Sequence, residues 1–184
     1  NVFYHGGMEQ SDREVALCKF RNGSSNILVT TDLASRGLDI PNIRSIIHYH
    51  LPLTEDAFTH RNGRTARMDA TGNVYLVVSA DEEMPEYFKN VSVAFNLPEH
   101  SAIPDKPKWS TLFIAAGKKD KINKIDIVGF LSNKAHLKKD EIGLIEVKDF
   151  SAFAAVRKSK IGQVVEDIKD EKIKNKKVKI AIAK

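Results

Sequence analysis

The eight residues 60–67, HRNGRTAR, place His60 beside Arg61, Arg64 and Arg67, with Gly63 among them. Guanidinium forks match the oxygens of a phosphate and can hold them two at a time. A glycine inside a helix costs ~1 kcal/mol against alanine. A phosphate-binding cluster would tolerate that cost, and a solvated helix face has no reason to carry it. Taken alone, the same residues also read as a basic surface turn. A second stretch, TTDLASRGLDIP at residues 30–41, follows the apolar run ILVTT. In open α/β sheets ligands bind at loops that follow parallel strands. This loop offers Thr31, Arg36, Gly37 and Asp39. Asp39 could bond a ribose hydroxyl, and backbone near Gly37 could approach a phosphate closely. The two loops share one purpose if adjacent strand ends bring them together.

The elements around them read as follows. NVFY is a short strand. MEQSDREVALCKFRNG is a helix, with Ser11 as N-cap, Glu14 completing a capping box, Ala16, Leu17 and Phe20 on one face, and Gly23 as the stop. NILVTT, IRSIIHYHLP and NVYLVVS are apolar runs expected of strands buried on both faces. A second helix begins after Thr54 and carries HRN, and DEEMPEYFKNV predicts another. This alternation is that of a largely parallel α/β sheet. PEHSAIPDKPKW, residues 98–109, holds three prolines and no periodicity, and reads as a linker. Beyond it come STLFIAAG as a strand, NKIDIVGFLSN as a helix capped by Asn123 with Asp126 in its first turn, GLIEVKD and SAFAAVR as strands, KIGQVVEDIK as a helix and KVKIAIA as a last strand. That order is βαββαβ, a split-βαβ plait.

Charge separates the same two regions. Residues 1–104 carry 9 Lys+Arg and 13 Asp+Glu, net −4; residues 105–184 carry 20 and 11, net +9. A basic second half is a candidate for a nucleic-acid partner. The single cysteine, Cys18, excludes an intrachain disulfide and fits a reducing compartment, so a cytoplasmic location is expected. There is no long apolar run, and no membrane partner is expected. The chain opens directly in a strand-like segment and reads as a piece of something longer.

Together the two loops resemble motifs V and VI of the DEAD-box RNA helicases, in their second RecA-like domain. HGGMEQSDR, residues 5–13, is similar to the family's upstream RNA-contact motif, with Gln10 and Arg13 in place. The resemblance implies an α/β fold: a partial RecA-like parallel-sheet domain over 1–97, a linker over 98–109, and a small α+β RRM-like domain over 110–184. It implies that Arg64 and Arg67 reach the γ-phosphate of ATP, with Arg67 as the arginine finger. His60 would link the two RecA-like domains, Gly37 and Asp39 would bind nucleotide, and Gln10, Arg13 and Thr31 would contact the RNA backbone. Asn62 stands where the family often has an apolar residue, a departure from which no chemistry is expected. No GKT phosphate loop, DEAD motif or SAT motif occurs in these residues. The 184 residues alone are therefore expected not to hydrolyse ATP, the metal ligands for Mg²⁺ lying outside this chain, in an N-terminal RecA-like domain in cis.

The βαββαβ unit with IGLIEVKDFSAFAAVRKS resembles the C-terminal RNA-binding domain of the DbpA subfamily, which implies tethering to structured, ribosomal RNA and a part in ribosome assembly. Its strands offer only Phe113 and Phe153 as aromatics, which read as core rather than base-stacking platforms. The basic candidates are Lys118, Lys119 and Lys121 after the first strand, Arg157, Lys158 and Lys160 after the third, and Lys172, Lys174, Lys176 and Lys177 before the last. His48 and His50 share a strand face, but no third metal ligand is evident and a structural role is expected. Cys18 reads as buried and inert, and Trp109 as an anchor of the plait's edge. The expected function is that of an ATP-dependent RNA helicase; the alternative is a non-catalytic RNA-binding module that retains a degenerate helicase half.

Overall fold

The computed structural model describes residues 1–32, 40, 43–65, 72–88, 99–102 and 104–184. They pack as two compact units: Asn1–Val29 with Lys106–Lys184, and Thr30–Asp105. Packing thus divides the chain differently from the order 1–97, 98–109, 110–184 read from the sequence, because the first 29 residues lie with the basic plait.

The plait is the βαββαβ unit expected. Its strands are β5 (Trp109–Ile114), β6 (Ile142–Val147), β7 (Ala152–Arg157) and β10 (Ile180–Ile182); the helices are α3 (Lys124–Lys134) and α4 (Ile161–Ile168). The sheet order is β10-β5-β7-β6, antiparallel throughout. A two-stranded hairpin, β8 (Lys172–Ile173) with β9 (Lys176–Lys177), is added before the last strand. Asn123 caps α3: its side chain accepts from the Asp126 amide at 3.0 Å, and the Asp126 carboxylate accepts from the Asn123 amide at 2.8 Å. One sheet face carries Leu112, Ile114, Ala154 and Val156, packed with Ile127 and Leu131 of α3 and Val164 and Ile168 of α4. Burial of this apolar surface is the main stabilising term of the unit.

The other face is also closed. Phe153 there is 2% exposed, Ala155 is fully buried and Thr111 is 2% exposed. The cover is the amino-terminal segment, built from β1 (Val2–Tyr4), α1 (Gln10–Arg21) and the start of β2 (Leu28–Thr30). Helix α1 ends as the sequence predicts. Gly23 takes φ +74°, and the Gly23 and Ser24 amides return to the carbonyls of Phe20 (3.2 Å) and Lys19 (2.9 Å), a Schellman closure that needs the left-handed residue. This stop delivers Asn22 and Ser24 onto the sheet. The Asn22 amide donates to Thr111 Oγ1 at 2.8 Å, and the Thr111 hydroxyl lies 2.8 Å from Ser24 Oγ. Arg21 pairs with Glu146 at 3.2 Å. Cys18 is buried facing this surface; burial first, then the Glu146 charge, pushes its thiol up to about 12. The start of α1 differs from expectation. The helix begins at Gln10 after Glu9, and Ser11 lies inside it. Arg13 organises this end instead, bonding the Met8 carbonyl at 2.8 Å and Gln10 Oε1 at 2.7 Å.

The second unit contains β3 (Ser45–His48), α2 (Glu55–Asn62) and β4 (Asn73–Leu76). β3 and β4 pair in parallel, with Ile46 opposite Val74. Thr54 caps α2 through the Ala57 amide at 3.2 Å. Burial of the apolar runs on both faces is not found: Val29 and Val74 are exposed, and Ile47 is 65% exposed. Among the described residues β1–β2 and β3–β4 form separate two-stranded pairs, so neither face of these strands gains a full layer. DEEMPEYFKNV is not a helix over its described part. Only Glu86–Phe88 turns, as a short 3-10 segment, because Pro85 lacks an amide and disfavours helical backbone in the residue before it. Residues 89–91 of that stretch lie outside the described residues. No described helix is long and apolar enough to cross a membrane.

Replacing Thr111 by Val leaves the buried Asn22 amide without its acceptor, a loss of about 1–3 kcal/mol. The expected outcome is a lower melting temperature and faster thiol labelling of Cys18. Labelling at the wild-type rate in a destabilised Thr111→Val chain would show that Cys18 is not covered through this contact.

Candidate nucleotide and RNA interfaces

An ion pair ties the described start of the loop after β2 to the end of α2. Arg61 Nε meets Asp32 Oδ1 at 2.5 Å, joining the second turn of α2 to the start of the loop after β2. The same guanidinium donates to the His50 carbonyl at 3.1 Å and lies 3.3 Å from His48 Nδ1. His48 Nε2 lies 2.8 Å from Asn62 Oδ1. Because that amide oxygen only accepts, Nε2 carries the proton, and Nδ1 is left to accept from Arg61. Burial holds the His48 pKa below its ordinary value, so the ring stays neutral between an amide and a guanidinium. His48 therefore has the structural role expected, and Asn62, the departure from the family pattern, is its partner.

Gly63 follows the last helical residue rather than interrupting the helix, with φ −62° and ψ 6°. The interior-glycine cost does not arise. Beyond it the chain enters a parallel bridge between Thr65 and Ile43. The Thr65 hydroxyl donates to the Ile43 carbonyl at 2.5 Å, which sets the Arg64 backbone against the second unit's sheet, its side chain half-buried. A side chain at Gly72 would begin 1.9 Å from Thr65 Oγ1, so that position must stay bare. His60 faces Asp56 across one turn at 3.2 Å, both side chains exposed. Thr31 is exposed at the end of β2. Arg36, Gly37, Asp39 and Arg67 lie outside the described residues. Among the described residues no cluster of His, Cys, Asp and Glu could hold a metal ion.

Gln10 and Arg13, expected to contact RNA, form one unit at the first turn of α1. Gln10 Oε1 accepts from Arg13, and Gln10 Nε2 donates to Glu14 at 3.2 Å. In the plait the expected basic groups divide into paired and unpaired. Lys174, Lys176 and Lys177 meet Asp126, Asp120 and Asp170 at 2.8, 3.2 and 3.1 Å. Lys160 lies 3.8 Å from Glu141. Arg157 stacks over Trp109, 4.5 Å from the ring centre, and bonds the Asp140 carbonyl at 3.2 Å. The ring edge of Trp109 also lies 3.3 Å from where a Cβ on Gly23 would stand, so Trp109 anchors the plait and the amino-terminal segment together. Lys118, Lys119, Lys121 and Lys158 are exposed, and none forms an ion pair among the described residues. Phe113 and Phe153 pack against each other at 5.6 Å under the amino-terminal cover. Sequence reasoning missed Asp32, Asn22 and Glu146. Each takes its partner across a long separation, for which a single sequence carries no signal.

Two family models match the chain: the helicase conserved C-terminal domain over residues 2–69 and the DbpA RNA binding domain over residues 111–182. The ATP-dependent RNA helicase DbpA of Bacillus subtilis is 31% identical over 204 aligned residues, covering 96% of this chain and 43% of that relative. The protein of the same name from Escherichia coli is 31% identical over 186, covering 98% and 41%. The chain belongs to the DEAD-box RNA helicases, in the DbpA subfamily. DEAD-box ATP-dependent RNA helicase 53 of Oryza sativa is 51% identical over 78 residues, 42% of this chain and 13% of that protein. The chain spans less than half the length of the DbpA relatives it matches. In DEAD-box terms, the Asp32–Arg61 pair joins motif V to motif VI.

The neutral His48 gives a pH test. Its folded pKa is depressed, so the unfolded chain takes up the proton first as pH falls through the ordinary histidine value, ~6.5. The contribution is complete above that value and is lost below it. Melting temperature should fall on acidification in the wild type and fall less in His48→Gln. Identical pH slopes in the two chains would remove His48 from the account.

Proposed function

We propose that this chain is the part of an ATP-dependent DEAD-box helicase that supplies the second half of the ATP site and a tether to RNA. In chain order, 1–97 is the second RecA-like domain, 98–109 the linker and 110–184 an RRM-like RNA-binding domain. The observation that carries this reading is the Asp32–Arg61 pair, which ties the start of the loop after β2 to the end of α2. Arg64 and Arg67 bind the γ-phosphate, Gly37 and Asp39 hold the rest of the nucleotide, and His60 faces the partner domain. The donor set fits a polyphosphate: Arg64 leaves α2 just where Arg61 has fixed its end. ATP supplies the phosphoryl group whose hydrolysis drives the cycle. The Mg²⁺ ligands and phosphate loop belong to an N-terminal RecA-like domain in cis. Gln10, Arg13 and Thr31 contact the RNA backbone without reading its sequence.

The plait holds the helicase on structured RNA, ribosomal RNA of the large subunit, so that short duplexes near it are unwound during ribosome assembly in the cytoplasm. Its net charge of +9 beyond residue 104 supports an electrostatic tether. Lys118, Lys119, Lys121 and Lys158 are its foremost phosphate contacts, with Arg157 and Lys160 partly engaged by protein.

In the full-length protein, Arg67→Ala should lower RNA-stimulated ATP turnover by about a thousandfold or more, as for loss of an arginine finger, with RNA affinity little changed. Unchanged turnover would remove Arg67 from the site. Absence of turnover in the unmutated full-length protein would favour the binding-module reading. RNA affinity of the 184-residue chain should fall steeply with salt, at a log–log slope of roughly 0.7–0.9 per phosphate contact. Substituting Lys118, Lys119 and Lys121 by Ala should flatten that slope, and an unaltered slope would place the contacts elsewhere.

A further inference from the structure

In an ordinary plait of this topology, bases stack on aromatics of the two central strands. Here that face is shut: Phe153 is buried, and the amino-terminal segment is bonded across Thr111. One aromatic of the plait is nevertheless open to solvent. Phe150, at the tip of the β6–β7 turn, is 74% exposed.

The turn is tight, its ends closed by the Lys148 amide on the Ser151 carbonyl at 2.8 Å. It is also fastened to the loop after β5. The Lys118 amide donates to the Lys148 carbonyl at 2.8 Å, and the Lys119 amide to the Asp149 carbonyl at 2.9 Å. Gly117 makes this approach possible, since a Cβ there would stand 2.3 Å from the Lys148 oxygen and 2.7 Å from that of Asp149. The two loops are therefore one surface, with Phe150 on one lip and Lys118, Lys119 and Lys121 on the other. Asp120, in that second loop, is taken by the Gly117 amide at 3.1 Å and by Lys176 at 3.2 Å. Lys148 is held by Glu146 at 3.3 Å. Asp149 is the remaining carboxylate of the two loops, set against three exposed lysines.

A lone exposed apolar side chain is ordinary. An exposed aromatic on a backbone-fastened turn beside unpaired cations has the composition of a single-strand nucleic-acid site, where a ring takes the base and cations take the phosphates. We propose that Phe150 stacks an unpaired RNA base, such as a bulged or loop nucleotide, while Lys118 and Lys119 bind its flanking phosphates. This rests on the reading of the plait as an RNA tether and gives that tether a structural preference: RNA with an unpaired nucleotide over continuous duplex. Because the pinned loops are formed before RNA arrives, little ordering is needed on binding.

The test uses the 184-residue chain and two RNA hairpins of equal length. One has a single bulged 2-aminopurine; the other has the same base paired within the stem. Wild type should bind the bulged hairpin more tightly and change its 2-aminopurine fluorescence. Phe150→Ala should weaken binding to the bulged hairpin by about tenfold, within the range for losing one base–aromatic stack, and abolish the fluorescence change. It should leave the paired hairpin unaffected, while Phe150→Tyr keeps wild-type behaviour. Substituting Lys118 and Lys119 by Ala should weaken both hairpins. Equal effects of Phe150→Ala on the two hairpins, or none on either, would overturn the stacking role while leaving the tether intact. Failure of the wild type to bind either hairpin would overturn the tether reading itself.

Discussion

A buried hydroxyl, Thr111 Oγ1, holds Asn22 and Ser24 of the amino-terminal segment against the second face of the plait's sheet. A buried threonine left without partners would be a liability of about 1–3 kcal/mol, so the contact and the burial require each other. With it come the Arg21–Glu146 pair, the covered Cys18 and the position of Gly23 beside Trp109. The sheet is then apolar on one side, where α3 and α4 pack, and occupied by protein on the other. In the reading proposed here the consequence is functional: a plait built this way would meet RNA through loops, turns and helix ends. The same segment carries Gln10 and Arg13, so these two residues and the plait belong to one packed unit.

In the other unit the organising contact is Arg61 with Asp32. One guanidinium touches a carboxylate, a backbone carbonyl and a neutral imidazole. Within HRNGRTAR, Arg61 is committed to architecture at the end of α2, from which Arg64 follows. The cluster that looks uniform in sequence is divided in labour. Arg61 ties the start of the loop after β2 to the end of α2, and Arg64 and Arg67 meet a phosphate in the reading proposed here. Asn62 belongs to the same arrangement, because a carboxamide oxygen selects the His48 tautomer that can accept from Arg61.

What the sequence made legible was local. Asn123 with Asp126, Thr54 with its helix, and Gly23 at a helix end are signals whose partners lie within a few residues, and each is found as expected. The βαββαβ order followed from periodicity, and the helicase motifs from the resemblance carried by HGGMEQSDR, TTDLASRGLDIP and HRNGRTAR. Local signals failed where a stronger neighbour intervened. Ser11 lies inside a helix that begins one residue earlier, at an end where Arg13 bonds Met8 and Gln10, and Pro85 broke a run that otherwise looked helical. Long-range pairing was not legible. The lysines of the β8–β9 hairpin read as free charge, yet Lys174, Lys176 and Lys177 each face an aspartate brought near only by folding. Among the described residues, Lys118, Lys119 and Lys121 form no ion pair and lie around Gly117, whose bare backbone lets two loops meet.

The most direct test of this account is a titration of the isotopically labelled 184-residue chain with an RNA hairpin, followed by backbone amide and aromatic NMR shifts. The account predicts perturbations concentrated at Lys118–Lys121 and Lys148–Ser151, with Phe113 and Phe153 unmoved and the Asn22–Thr111 contact intact. Perturbations centred on Phe113, Phe153 and Thr111, with release of the amino-terminal segment, would contradict it.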